Sequence, residues 1–108
     1  MIGRKVHVIV DRPLGTVHPH HDHIRYEVNY GYISGITAGD GEEQDAYILG
    51  VNEPIAEFDG VVIAVLHRAD DVEEKWVVAP ENVSFRDEEI MQKVYFQEKY
   101  FSVELRRT

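Results

Sequence analysis

Two short acidic segments carry the residues best suited to chemistry in this chain. Residues 40–45 read Asp-Gly-Glu-Glu-Gln-Asp, and residues 70–75 read Asp-Asp-Val-Glu-Glu-Lys. Crowded carboxylates repel one another unless a cation neutralises them, and oxygen-only clusters suit hard ions such as Mg²⁺, Ca²⁺ or Mn²⁺. Lys75 fits an anionic substrate bridged through such a metal. Both segments could also be solvated turn tips, because charge runs usually are.

A tyrosine-rich segment precedes the first acidic segment. Residues 26–33 read Tyr-Glu-Val-Asn-Tyr-Gly-Tyr-Ile. A buried tyrosine needs a partner for its hydroxyl, so Tyr26, Tyr30 and Tyr32 are awkward as pure core residues. We expect some of them to share a face, where phenol groups could donate hydrogen bonds to phosphate oxygens. The alternative is a buried aromatic strand.

Four histidines lie close together in residues 18–23, which read His-Pro-His-His-Asp-His. Neutral imidazoles suit Mn²⁺, Zn²⁺ or Ni²⁺, and protonated ones bind phosphate. A mobile polar loop is the alternative interpretation. A transition-metal protein built on these histidines, with incidental acidic clusters, also stays open.

Length and charge limit the classes of function. The 108 residues suffice for one domain, predicted to span residues 1–108. A formal net charge of −9 argues against nucleic-acid binding, which needs a basic face. We expect no membrane partner and a cytoplasmic location, because no apolar run approaches roughly eighteen residues and no signal peptide is evident. The absence of cysteine excludes disulfides and thiolate metal sites.

Hydrophobic patterning predicts several short strands. Alternation or short apolar runs favour strands over residues 6–10, 26–33, 45–50, 61–66 and 75–79. Residues 14–25 are expected to be irregular, residues 58–60 to form a turn, and residues 68–74 to form an acidic hairpin tip. Gly31 and Gly35 are interpreted as bends.

One helix is predicted, over residues 87–101. Three acidic residues at its start complement the helix dipole. An apolar stripe at helical spacing is expected to pack in the core: Ile90, Met91, Val94, Tyr95 and Phe101. Short strands and one helix together predict a mainly β fold, a small OB-like closed or half-closed β-barrel with one C-terminal α-helix.

The tyrosine segment, the acidic segment at 40–45 and the hairpin ending in Lys75 occur in an order that resembles the soluble family I inorganic pyrophosphatases. The resemblance covers residues 24–80. It implies hydrolysis of inorganic pyrophosphate to two phosphates by a metal-bound water, a small-molecule substrate, and self-association into a homo-oligomer. It also implies Mg²⁺ or Mn²⁺ as cofactor, with at least two ions.

The resemblance assigns roles to the carboxylates. Asp40, Asp45, Asp70 and Glu73 would be metal ligands, with Asp45 bridging two ions. Glu42 would be the catalytic residue that deprotonates the attacking water. Glutamates at 42 and 73 stand where the family has aspartates.

The resemblance also implies substrate-binding residues. These are Lys75, Tyr30 and Tyr26, with His18 in the place of a family arginine. Other basic positions have no clear counterpart, and Lys99-Tyr100 only loosely matches a late tyrosine-lysine pair, so much of the cationic phosphate grip is expected to be missing. A non-catalytic metal- or phosphate-binding barrel, or a hydrolase of another small diphosphate, therefore remains an alternative.

Overall fold

The chain forms a closed five-stranded β-barrel with one extra strand. The computed structural model describes residues 1–69 and 73–107. Its elements are β1 (Lys5–Arg12), β2 (Asn29–Thr37), β3 (Glu43–Ile48), β4 (Glu57–Arg68), β5 (Glu74–Ala79), α1 (Asp87–Glu98) and β6 (Val103–Arg106). The strand order is β1-β2-β3-β5-β4, and a β1–β4 pairing closes the barrel. The prediction of a mainly β barrel with one helix near the C-terminus is confirmed.

Strand β4 is the longest element of the barrel. Its first half pairs with β1 and its second half pairs with both β5 and β6. The predicted turn at 58–60 is wrong, because these residues continue β4 and pair with β1. Gly60 fits a strand here since a Cβ would lie 2.7 Å from the carbonyl oxygen of Ala79. Glycine fits position 60 because the backbone of a neighbouring strand passes close to it, not because the chain turns there.

Gly31 and Gly35 differ in what they do within β2. Gly31 pairs in register with Val10 and Ala46, so it does not mark a bend. A Cβ there would meet the carbonyl oxygen of Ile9 at 1.9 Å, which only glycine avoids. Gly35 has a φ of +80° and lies where the pairing of β2 with β3 shifts register. Only the second glycine behaves as the sequence predicted.

Two apolar clusters make the core. One draws residues from all five barrel strands, and Val8, Ala46 and Val78 are fully buried in it. The other packs α1 on the barrel through Ile90 and Val94. Both clusters follow the period-2 and period-3.6 patterns of the sequence.

The predicted helical stripe is partly wrong. Tyr95 is 61% exposed, and Phe96 is buried in its place because its ring packs edge-on against Tyr26 at 5.4 Å. The helix ends at Glu98, so Phe101 lies beyond it and is 39% exposed.

Within the described residues, no helix is long and apolar enough to cross a membrane.

Candidate active site

A cavity of about 580 Å³ lies where the ends of β1, β4 and β5 meet the last turn of α1. Its charged lining residues are Asp11, Arg12, Asp45, Arg68, Glu73 and Lys75. Three basic side chains therefore face three acidic ones, in a chain whose net charge is −9. With as many basic as acidic residues, the lining is less negative than the rest of the chain, which favours an anionic ligand there.

Lys75 joins the two acidic segments. Its Nζ donates a hydrogen bond of 2.5 Å to Asp45 Oδ2 and another to Glu73 Oε1, and the residue is only 4% exposed. Asp45 lies on β3, and Lys75 follows on the parallel neighbour β5. The structure thus brings together three of the predicted site residues.

Two cations of the cavity lie near the Tyr30 ring. The Arg12 guanidinium is 5.6 Å from the centre of its ring, and Lys75 Nζ is 5.7 Å away. Burial, followed by the charge of Asp45, raises the pKa of Tyr30 well above its usual value. The hydroxyl therefore stays protonated and can donate a hydrogen bond.

Arg68 reaches the cavity from the end of β4. It donates from Nε to Glu98 Oε1 at 3.0 Å and from Nη2 to Glu98 Oε2 at 2.7 Å. Nη1 lies 3.4 Å from Glu73 Oε2, and the guanidinium lies 3.6 Å from the centre of the Phe101 ring. Burial lowers the pKa of Arg68, but the hydrogen bonds and charge of Glu98 outweigh it and raise the pKa.

A buried hydrogen-bond chain connects Arg12 to the pair of Arg68 and Glu98. Arg12 Nη1 donates to the Tyr26 hydroxyl at 2.5 Å, which donates to Gln97 Oε1 at 2.6 Å. Gln97 Nε2 donates to the Tyr47 hydroxyl at 2.6 Å, and that hydroxyl donates to Glu98 Oε2 at 2.5 Å. The end of α1 therefore positions both arginines of the cavity. The Tyr26 hydroxyl, predicted to bind substrate, has protein partners on both sides and holds Arg12.

Three histidines line the cavity: His18, His21 and His23. The backbone N–H of His20 donates to His18 Nδ1 at 3.0 Å, which makes the neutral ring with its proton on Nε2 the favoured form. Burial, followed by the charge of Arg12 and the neighbouring histidines, lowers the pKa of His18. His18 therefore offers a neutral N–H donor rather than an imidazolium.

The remaining predicted residues lie apart from this cavity or outside the described residues. Asp40 and Glu42 are exposed in the turn before β3, where Asp40 Oδ1 accepts the Glu42 backbone N–H at 3.0 Å. Neither lines the cavity. Asp70, the fourth predicted metal ligand, lies outside the described residues. In the described ranges, no group of three or more His, Asp or Glu side chains could hold a metal ion.

Among the residues that sequence reasoning missed are Arg12, Arg68 and Gln97, which line the cavity, and Glu98, which binds Arg68. That much of the cationic phosphate grip is missing stays a prediction, but the cavity contains two arginines that the sequence did not assign to it. A signal existed in the helix. Gln97 and Glu98 continue the spacing of the buried Ile90 and Val94, so polar side chains fall on the core face.

Known structures share this architecture. A search of family models finds no match, and a search of curated proteins finds none either. An inorganic pyrophosphatase from Ehrlichia chaffeensis aligns with a TM-score of 0.70 at 19% identity, over 96% of this chain and 85% of its own. The fold is that of bacterial inorganic pyrophosphatases.

Two further structures agree. An inorganic phosphatase from Anaplasma phagocytophilum aligns at 15% identity and a TM-score of 0.70, over 95% of this chain and 84% of its own. An inorganic pyrophosphatase from Coxiella burnetii aligns at 14% identity and a TM-score of 0.66, over 97% and 87%. At such identities the likeness to these pyrophosphatases concerns the fold.

Proposed function

We propose that this chain hydrolyses inorganic pyrophosphate in the cavity described above. The observation that carries the proposal is the convergence of Arg12, Arg68 and Lys75 beside Asp45 and Glu73. The pyrophosphatase fold supports the same conclusion independently. Pyrophosphate presents two adjacent, highly charged phosphoryl groups. Arg12, Arg68 and Lys75 would supply positive charge to them, and the carboxylates of the same cavity would be left to hold a cation.

The cations bind and orient the substrate. An arginine has five N–H donors, and three of those of Arg68 are used by Glu98 and Glu73, which leaves two for a phosphate. In the reaction, a water oxygen bonds to one phosphorus while the bridging P–O bond breaks, which gives two phosphates and releases a proton. Charge neutralisation and positioning lower the barrier, and no covalent enzyme intermediate is needed.

The donor set fits one magnesium or manganese ion. Asp45 Oδ2 and Glu73 Oε1 both contact Lys75 Nζ, so the two carboxylates lie close enough to share one ion, which would have to displace the ammonium from between them. Mg²⁺ is usually held by one or two carboxylates, with waters and substrate phosphates completing the shell. The ion, when bound, would neutralise phosphate charge and acidify a water. Asp40, the other predicted metal ligand among the described residues, lies outside the cavity and is not placed to hold a second ion there.

The test is phosphate release from pyrophosphate by the purified chain with Mg²⁺, with Mn²⁺ and with a chelator. We expect release with a divalent ion, and a loss of about hundredfold or more in Arg68→Gln and Lys75→Gln. Lys93→Gln is the matched control, because it removes one positive charge from an exposed position of α1.

Two outcomes would contradict this function. Activity that survives both cavity substitutions would place catalysis elsewhere. Tight pyrophosphate binding without phosphate release under any metal condition would instead identify a non-catalytic phosphate-binding barrel. The pairing of Asp45 and Glu73 with Lys75 is the observation that favours this second candidate, since it neutralises the metal ligands internally.

A further inference from the structure

Part of the cavity wall is apolar and aromatic. Ile24, Tyr100 and Phe101 line it together with His21 and His23. Tyr100 is 51% exposed and Phe101 is 39% exposed, so both rings keep accessible surface at the cavity. A purely inorganic diphosphate has no apolar group to cover such a wall, and contiguous apolar surface at a cleft is typical of ligand-binding grooves.

These rings are held in place. The backbone N–H of Phe101 donates to the carbonyl of Glu98 at 3.0 Å, which continues the end of α1 by one turn. One face of the Phe101 ring lies 3.6 Å from the Arg68 guanidinium carbon. His23 contacts Tyr100 edge-on, with 6.0 Å between ring centres. The aromatic wall is thus ordered by the same helix end that positions the arginines.

The cavity volume fits a larger ligand than pyrophosphate. About 580 Å³ lies within the range of roughly 300–1,000 Å³ that is typical of sites for drug-sized molecules. Arg68 contacts both the charged and the aromatic part of the cavity wall. The edge of its guanidinium contacts the Glu73 carboxylate, and its flat face lies against the Phe101 ring. A ligand with its phosphates on the cations would place an attached group against the rings.

We infer that this site takes an organic diphosphate whose organic group carries a flat aromatic ring, such as a nucleoside diphosphate. The inference rests on the proposed function, since it uses the same cationic wall for the diphosphate. Hydrolysis of such a compound would consume one water and break one bridging P–O bond, as hydrolysis of pyrophosphate does. A water oxygen bonds to the terminal phosphorus, the bridging P–O bond breaks with its oxygen kept by the organic phosphate, and a proton leaves to solvent.

The test compares three analogues whose methylene bridge resists hydrolysis: methylenediphosphonate, its methyl ester, and α,β-methylene adenosine diphosphate. Binding to the intact chain is measured by calorimetry. Esterification removes negative charge from the diphosphonate, and the methyl ester controls for that loss. We expect the adenosine compound to bind roughly five- to hundredfold more tightly than the methyl ester, the range found for a base stacked on an aromatic side chain.

Variants then locate the effect. Tyr100→Leu and Phe101→Leu should remove most of the advantage of the adenosine compound over the methyl ester. Tyr95→Leu is the matched control, because Tyr95 is an exposed ring of α1 that does not line the cavity. Equal affinity of the two esters for the unaltered chain would overturn the inference.

Two further results would also be decisive. The Leu variants could instead change self-association in sedimentation experiments and leave the preference for the adenosine compound over the methyl ester intact. The two rings would then contact a second copy of the chain, and the inference would fail. If methylenediphosphonate itself does not bind, the proposed function fails. Binding of methylenediphosphonate without selectivity for the adenosine compound would sink the inference alone.

Discussion

Arg68 and Glu98 are joined by two parallel hydrogen bonds between the end of β4 and the last residue of α1. The two N–O distances are 3.0 and 2.7 Å, and the residues are 6% and 2% exposed. Two-point pairs of arginine and carboxylate combine strength with a fixed orientation. The pair therefore ties the helix to the barrel and sets the guanidinium at the cavity.

Glu98→Gln should destabilise the fold strongly. The substitution leaves the buried Arg68 charge without a full partner, which typically costs about 3–5 kcal/mol. Urea unfolding measures the loss, and Glu88→Gln on the exposed first turn of α1 is the control, expected to change stability by less than about 1 kcal/mol. A loss that is equally small for Glu98→Gln would show that the buried pair does not hold the helix.

The double variant Arg68→Met with Glu98→Leu separates folding from binding. Replacing both members of a buried ion pair by apolar residues is often neutral for stability, so this variant should recover most of the loss. Pyrophosphate binding, measured by calorimetry, should be weaker than in the wild type because a phosphate contact is gone. Normal affinity in the double variant would remove Arg68 from the proposed site.

The strands could be predicted because the side-chain period is local. The alternation of Val6, Val8 and Val10 correctly predicts β1, and the apolar run at 75–79 correctly predicts a partner of β4. The turn at 58–60 was wrong because Gly60 signals a tight contact across the sheet. That contact involves Ala79, which is distant in sequence and leaves no local mark.

The site was predicted unevenly for the same reason. Lys75, Asp45 and Glu73 lie in segments whose charge crowding is visible in the sequence, and the structure brings them together. Arg68 and Glu98 are thirty residues apart, and they meet only because α1 packs on the barrel. No local pattern predicts which helix turn meets which strand end.

Tyr26→Phe should weaken pyrophosphate binding through Arg12. The hydroxyl accepts from Arg12 and donates to Gln97, so its removal frees the guanidinium and costs two hydrogen bonds, about 1–3 kcal/mol of stability. We expect affinity to fall by roughly tenfold, the effect of about one such bond. The same substitution in an Arg12→Gln background should have little further effect on binding. An equal loss in both backgrounds would show that Tyr26 contacts the substrate directly.

The carboxylates should differ sharply in their importance for turnover. Asp45→Asn should abolish metal-dependent phosphate release, because an amide cannot replace the charge of a metal ligand. Glu42→Gln and Asp40→Asn should cost less than about tenfold, since both side chains lie in the exposed turn outside the cavity. Loss of a general base typically costs roughly 10²–10⁴-fold. A loss of that size in Glu42→Gln would restore the role that the resemblance implied.

His18 should act as a neutral hydrogen-bond donor. Its Nδ1 accepts the backbone N–H of His20, and burial with the charge of Arg12 lowers its pKa, so it is neutral at pH 7. The cationic or titratable groups around it are Arg12, His20, His21 and His23, and Tyr26 stacks on its ring at 6.1 Å.

His18→Gln, which keeps an N–H donor of similar reach, should therefore retain pyrophosphate affinity, and His18→Ala should lower it by roughly five- to tenfold. Affinity is measured by calorimetry from pH 6 to 8, and the ratio of variant to wild type at each pH cancels the titration of pyrophosphate itself. For a neutral donor that ratio stays flat above pH 6.5. An imidazolium contact would instead make wild-type affinity fall relative to His18→Gln as the pH rises.

The same lowered pKa has a consequence for stability. The unfolded chain takes up the proton on His18 first, near its ordinary pKa of about 6.5, because the folded state binds that proton less well. The contribution of His18 is thus fully present above pH 6.5 and is lost as the pH falls below it. Urea unfolding at pH 7.5 and pH 5.5 should show a smaller acid-induced loss in His18→Gln than in the wild type, and an identical loss in both would mean that His18 titrates alike in the folded and unfolded chains.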